Sequence, residues 1–413
     1  MGGPLSRGFV LAVLCSGMLV GCSFQGVIEQ NVVDFNHAVA KSQNELLLLN
    51  ILRAKDRQPR YFTALTQIRG SLSSSVKMGL ILPFGPGTDS GFALPESSLS
   101  SSPSFDVAIL DSEKFMRGIM RPVEKGLFKY YWDEGWSQEL LLYLLVAKIR
   151  FPAVDGKLRE VVNSPTHHEK FDEFVDVVKK LTHAGLVASL ETHQPFGPQF
   201  KELDLASILA AKEKGLEIAS ENGCFQFMQS SSTVRLECPE WDADPEKGCS
   251  RMLRELPGIS QKGTRVQLVF EELVPSAKSR ATATRESMCD SRPAKDAEEP
   301  LTGEIILRSP EAIMHYLGEI VRVEEENDRW SPPEIREATG HAPSSLPLFV
   351  VKAGQAQAAD VAVEVNDRSY YIPSGTAGGR SMHCLWLLTE LFGLHKSFDE
   401  LPATPAVILS GSK

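Results

Sequence analysis

Ile28, Val32, Phe35, Val39, Ser42, Leu46 and Leu49 step by four and three through "VIEQNVVDFNHAVAKSQNELLLLNILRAKDRQPRYF", the spacing of one face of a long helix. From Leu46 to Leu52 the pattern is apolar nearly all round, so that part must be covered by the rest of the fold or by partner subunits. Arg53, Lys55 and Arg57 stand at the C-terminal end, where cations favour the helix dipole, and Pro59 stops the helix. That placement explains the basic cluster without a ligand.

The next stretch, "FTALTQIRGSLSSSVKMGLILP", alternates Leu65, Gln67 and Arg69 with Thr66, Ile68 and Gly70 without one clean apolar face, and reads as extended. Turn signals at Pro83, Gly85, Pro86 and Gly87 precede "PESSLSSSPS" and "FDVAIL", which predicts two strands joined by a long loop. Two uses fit such a Ser/Gly-rich pair. One is a surface hairpin; the other is a share in a barrel that several subunits close across an outer membrane, because closure removes edges that lipid cannot tolerate.

Helical spacing returns from Ser112 to Arg150, with Ser112 as N-cap, Pro122 or Gly126 as an interruption, and a strongly apolar second helix opening at Ser137. Phe115, Phe128, Tyr130, Tyr131, Trp132 and Trp136 cluster here, as a packed core does more often than a carbohydrate or cofactor platform. Ser164 and Pro165 open another helix and Gly185 closes it, with Phe171, Phe174, Val175, Val178 and Leu181 as its stripe. His167, His168, Glu169 and Asp172 lack the HExxH spacing of a metal helix, so they read as a solvated first turn.

"VPSAKSRATATRESMCDSRPAKDAEEP" has few apolar residues and reads as a linker. Beyond it come the strand "GEIILR", a helix opened by Ser309 and Pro310, strands in "LPLFVVKA" and "ADVAVEVNDRSYYIP" with a hairpin turn at Asn366 and Asp367, a helix from Ser381, and the strand "PAVILSG". The order is β-α-β-β-α-β, that of a small α+β sandwich. The fold class expected is α+β, an N-terminal helical region with a β-hairpin excursion plus this C-terminal domain. The boundaries are 28–274 for the first domain, 275–302 for the linker and 303–413 for the second.

Composition agrees with a folded chain: 42% hydrophobic and 23% charged residues. Acidic residues exceed basic ones, 53 to 43, and no Lys/Arg face clusters, which excludes nucleic acid as a natural partner.

Catalytic signals fail individually. "SGTAGGRS" has Ser374 and Arg380 where a phosphate loop needs glycine and lysine; "SSVK" would set Ser74 and Lys77 on opposite sides of a strand; "GTDSG" departs from G-x-S-x-G. No nucleophile stands beside a base, so no enzyme, catalytic residue, cofactor or metal site is expected.

The leader carries one charge, Arg7, then an apolar run from Phe9 to Val20. Its 12 residues fall short of the ~20 a membrane helix needs, so residues 1–21 read as a cleaved signal. "LVGC" resembles the lipobox of bacterial lipoproteins. The resemblance implies that Cys22 becomes the first residue and carries diacylglyceryl and acyl chains, with 22–27 as tether; two or more chains anchor stably. Ser23 stands where aspartate would mark inner-membrane retention, so the implied place is the outer membrane, periplasmic face.

In that compartment disulfides persist. Cys224 and Cys238 lie equidistant from Ser231 in "CFQFMQSSSTVRLEC", and a symmetric hairpin would let them bond, leaving Cys249 and Cys289 as a second pair. Cys384, on an apolar helix, is expected buried and reduced. Together, "NELLLLNILRAKDRQPRYFT", "SPEAIMHYLGEIV", "LTELFGL" and "TPAVIL" resemble an uncharacterised family of proteobacterial outer-membrane lipoproteins. The resemblance contributes location and little more; with no catalytic motif, the expected function is a structural or assembly role with envelope proteins or further copies of the chain as partners, the alternative being a subunit of an oligomeric outer-membrane channel or secretion complex.

Overall fold

The computed structural model describes residues 33, 36–77, 96–152, 158–221, 223–239, 248–249, 251, 255–256, 266–270, 301–327, 329–336, 345–355, 358–395 and 407–410. The leader, Cys22, the tether and Cys289 lie outside them, as does the expected linker apart from Leu301 and Thr302. The described chain is mixed α and β. It divides into two compact units, one holding residues 59–118 and 393–413 with the chain up to Leu46, the other Leu47–Gln58 and Ile119–Phe392.

In chain order the elements begin with helix α1 (36–55), the strands β1 (Thr63–Lys77) and β2 (Glu96–Ile109), and helices α2 (Glu113–Met120), α3 (Lys125–Asp133) and α4 (Gln138–Leu145). There follow β3 (Val146–Pro152), β4 (Leu158–Val162), α5 (His168–His183), β5 (Val187–Phe200), α6 (Leu205–Glu213), β6 (Leu216–Glu221), β7 (Cys224–Glu237) and β8 (Val266–Phe270). The last part holds β9 (Leu301–Leu307), α7 (Pro310–Glu326), β10 (Glu334–Arg336), β11 (Ser345–Pro347), β12 (Lys352–Ala353), β13 (Ala359–Val365), β14 (Arg368–Pro373), α8 (Ser381–Gly393) and β15 (Val407–Ser410).

The first unit is built on a long antiparallel ladder. β1 and β2 pair from Thr63↔Ile109 to Lys77↔Glu96, and β15 adds to β2 at its base, from Val407↔Val107 to Ser410↔Ser104. A register shift between Leu65 and Gln67 inserts one extra residue in β1. That bulge is why the sequence shows no clean face: it flips the alternation, so that Leu65 before it and Ile68 after it share a side. Ser112 caps α2, accepting from the Phe115 N–H at 3.2 Å, and Phe115 meets Phe62 edge-on at 5.6 Å.

A seven-stranded sheet organises the second unit, in the order β4-β3-β9-β8-β7-β5 with β6 also on β7; β8 and β9 run parallel. α4 lies at the core, with every residue from Leu140 to Leu145 buried, and packs on α3, α5 and α7. Its expected start holds: the Ser137 hydroxyl accepts from Leu140 N–H. Ser309 likewise caps α7 through Ala312 N–H at 3.1 Å, with Pro310 in the first turn. Asn366 and Asp367, both at positive φ, make the tight turn between β13 and β14.

α1 follows its pattern over the described residues, outside which Ile28, Val32 and Phe35 lie. Leu48, Ile51 and Leu52 are wholly buried, whereas residues 36–38 are exposed. Its end is tied down by Lys55, whose Nζ reaches Glu325 Oε2 at 2.9 Å and Tyr370 Oη at 3.1 Å. Burial opposes that charge, but the Glu325 carboxylate and Tyr370 outweigh it and raise the ammonium above its ordinary value. Gly318 of α7 meets this segment so closely that a Cβ there would stand 2.7 Å from Lys55 N and 2.8 Å from Ile51 O.

Two expectations need correction. Between α7 and α8 stand five strands, β10 to β14, where the order β-α-β-β-α-β has two, and the strands from β9 to β15 do not share a sheet: β9 joins β3 and β8, β13 and β14 join β12, and β15 joins β2. Nor is there a hairpin at Ser231. β7 runs through "CFQFMQSSSTVRLE" unbroken, paired with β5 from Val187↔Glu237 to Phe200↔Phe225. β5 carries the chain through the serine run: His193 pairs with Ser230 and Glu191 with Thr233, so Ser231 and Ser232 fall in a local irregularity of the ladder rather than in a turn, and the strand continues beyond them.

Candidate functional site

Three places in the structure concentrate chemistry: the cysteines, a buried arginine, and an aromatic cleft. The straight course of β7 sets Cys224 and the residue after its last strand position, Cys238, at opposite ends of 14 strand residues, roughly 45 Å apart. They cannot bond to each other. Cys238 instead joins Cys249, 11 residues on, and Cys224 is disulfide-bonded elsewhere. Cys384 is buried and free, its thiol pushed up by burial and donating to the Leu348 carbonyl at 3.4 Å.

Arg308 follows β9 and is 6% exposed. α4 ends without a glycine cap, so its last carbonyls lack helical donors. Arg308 supplies them: Nη1 donates to the carbonyls of Tyr143, Leu144 and Val146 at 3.0, 3.1 and 2.7 Å, and Nη2 to that of Asn163 at 2.5 Å. The Asn163 amide donates to Tyr143 O and Val146 O as well, at 2.8 and 2.7 Å. The guanidinium also sits 3.8 Å from the Tyr316 ring centroid. Burial pulls it down to about 10, so it stays charged at neutral pH. Four carbonyls and a ring face absorb that charge, which makes Arg308 a helix clamp. The one hint in the sequence is an apolar helix, "QELLLYLL", running into a strand with no capping residue.

The cleft, about 890 Å³, opens in the same unit. Trp136 reaches it through the end of α3: Gly135, at φ 81°, donates to Trp132 O, and Trp136 N–H to Tyr131 O at 3.2 Å, with the Tyr131 and Trp136 rings in edge contact at 5.2 Å. That pairing of bonds and apolar contact closes a helix and fixes the direction of the residue after the glycine. Trp386, on the open side of α8, stacks on Trp136 at 4.4 Å and 17°, yet half its surface stays exposed. His183, Arg336, Arg380 and His383 line the same space. Arg336 is held twice, its N–H by buried Glu139 at 2.7 Å and its Nη1 by His183 Nε2 at 3.0 Å, while His183 Nδ1 donates to Lys179 O.

Trp136 was visible in the sequence as one of six clustered aromatics. Phe128, Tyr131 and Trp132 of that set are buried as a core should be, but Trp136 is only partly covered. Among the described residues no group of three His, Cys, Asp or Glu is placed to hold a metal ion, and no helix is long and apolar enough to cross a membrane. "SGTAGGRS" forms a short 3-10 turn before α8, and the Ser381 hydroxyl turns inward, accepting from Val350 N–H at 2.8 Å. No family model, curated protein or solved structure matches the chain.

Proposed function

We propose that the protein is an outer-membrane lipoprotein with an assembly role in the envelope, anchored through Cys22, whose copies join through the β1–β2 ladder. The register of the ladder carries this reading. On one face stand Arg69↔Ser104, Ser71↔Ser102, Ser73↔Ser100, Ser75↔Ser98 and Lys77↔Glu96, all polar. The other face takes Leu65↔Val107, Ile68↔Phe105, Gly70↔Pro103, Leu72↔Ser101, Ser74↔Leu99 and Val76↔Ser97, with an apolar residue, glycine or proline at every level. Met78, Leu80 and Leu82 continue the alternation in the sequence.

A lone two-stranded ribbon is marginal in water, and its edges invite pairing. β15 covers β2 only from Ser104 to Val107, so Glu96 to Pro103 keep an edge unpaired among the described residues, as β1 does along its length. Those eight residues rise about 26 Å along the strand, which at a barrel tilt of about 40° covers roughly 20 Å of the ~25 Å apolar height, and the ladder from Ser104 to Val107 continues it. Pairing β1 of one copy with β2 of the next adds two strands per copy. An eight-stranded barrel, about the smallest, would need roughly four copies. The apolar face would meet lipid and the polar face water. This is the channel-subunit form of the assembly role.

Single cysteines at Leu72 and Ser73 test it in the full chain in membranes. A water-soluble maleimide should label Ser73→Cys and spare Leu72→Cys, and the detergent-purified protein should be a ring of several copies. Equal aqueous labelling at both positions together with a monomeric native mass rejects the reading.

A further inference from the structure

We infer that the cleft of Trp136, Trp386, Arg336 and Arg380 is a binding site for an anionic oligosaccharide. The inference stands apart from the assembly role, since every residue it uses belongs to the second unit. Trp386 is the first argument. On α8 the neighbouring Cys384, Leu385, Leu387 and Leu388 are wholly buried, so a core was available, yet the largest side chain of the helix sits on its open side. Stacking on Trp136 covers one ring face and holds the indole rigid, leaving a flat apolar platform beside a cavity of about 890 Å³.

The walls supply the second argument. Besides the two indoles, Gly135 and Leu140, the lining residues are polar, with Ser137, Gln138 and Thr182 as hydroxyl and amide groups and Glu134 and Glu139 as carboxylates. A lipid tail or an extended apolar peptide would leave those groups without hydrogen bonds at a cost, whereas a sugar offers a hydroxyl to each and presses its C–H face on the indole. Arg336 and Arg380 then select for acid groups, because a guanidinium matches a carboxylate with paired donors, while of the two lining carboxylates Glu139 is buried and taken up by the Arg336 N–H and Glu134 is exposed to water. Arg336 is suited to this: His183 and Glu139 hold it in place before any ligand arrives, which lowers the ordering cost of binding. The volume lies in the upper part of the usual range for ligand sites, room for several rings rather than one.

Calorimetric titration of the full chain with tetragalacturonic acid, and with the same tetramer fully methyl-esterified, separates charge from ring. The acid should bind saturably and the ester at least tenfold more weakly. Trp386→Ala should weaken the acid at least tenfold, with little change in melting because the side chain is half exposed. Arg336→Gln, which keeps the backbone bond to Glu139, should weaken the acid but leave the ester unchanged. The inference is overturned if the wild type does not bind the acid, if the ester binds equally well, or if both variants bind the acid as the wild type does.

Discussion

The Arg308 clamp makes a quantitative prediction that an isolated buried charge would not. Arg308→Met removes donors from four carbonyls, but Tyr143 O and Val146 O keep the Asn163 amide, so only Leu144 O and Asn163 O are stranded. An unpartnered buried acceptor costs about 1–3 kcal/mol, which puts the two at roughly 4 kcal/mol together. Relief from burying a guanidinium and the added apolar burial of Met offset about 1–2 kcal/mol of that, leaving a net loss of about 2–3 kcal/mol. Asn163→Leu, which strands neither carbonyl while Arg308 remains, should cost about 1–2 kcal/mol. In the double variant all four carbonyls are bare. The loss should then exceed the sum of the single variants by about 2 kcal/mol, since each substitution removes the other's backup. Urea unfolding of the full chain, read by tryptophan fluorescence and by hydrogen exchange at the α4 amides, measures the three variants at constant m-value. Additivity within about 0.5 kcal/mol would show that the two side chains do not share acceptors in solution.

Gly318→Ala should destabilise by about 1–3 kcal/mol, because the new methyl would fall within 3 Å of α1 backbone atoms that belong to a helix and cannot rotate away; unchanged urea midpoints would mean α1 and α7 are less closely apposed. Non-reducing peptide mapping should recover Cys238 linked to Cys249 and Cys224 in a disulfide, with Cys384 as a free thiol. The closed loop of 11 residues adds about 2.8 kcal/mol in the chain-entropy account, so Cys249→Ser should lower stability by that order. Cys22→Ala should abolish acylation and leave an uncleaved or soluble form; unchanged mass and fractionation would refute the anchor. Leu48→Asp should prevent folding, as it would bury an uncompensated charge at a wholly enclosed position, and a variant that melts like the wild type would contradict that burial.

Where the sequence was a sound guide, the structure depends on short-range chemistry. The caps Ser112, Ser137 and Ser309, and the turn at Asn366 and Asp367, act within three or four residues, and each was legible for that reason. The misreadings arose where a distant strand decides. A serine run with cysteines at equal distances looks like a turn until β5 is known to pair on both sides of it, at Ser230 and at Thr233. Four strands in a familiar order look like one sheet until their partners are found 100 residues and more away, as for β15 on β2. Arg308 was invisible because its acceptors are backbone carbonyls, which every residue has.

The ladder and the cleft differ in the same way. A single extra residue at Thr66 was enough to hide the two-faced pattern of β1, since an alternation of period two loses its phase at one bulge and regains it immediately after. Once the bulge is placed, the pattern can be read from the sequence of both strands without any side-chain geometry. Trp386 offers no such recovery. Its helix reads as apolar on almost every side, and only the stacking of Trp136, set by a glycine at the end of another helix, shows which side stays open. The two readings therefore rest on different grounds. The ladder depends on alternation along the chain and the cleft on convergence in space, so a failure of copies to close a barrel would leave the oligosaccharide site where it stands.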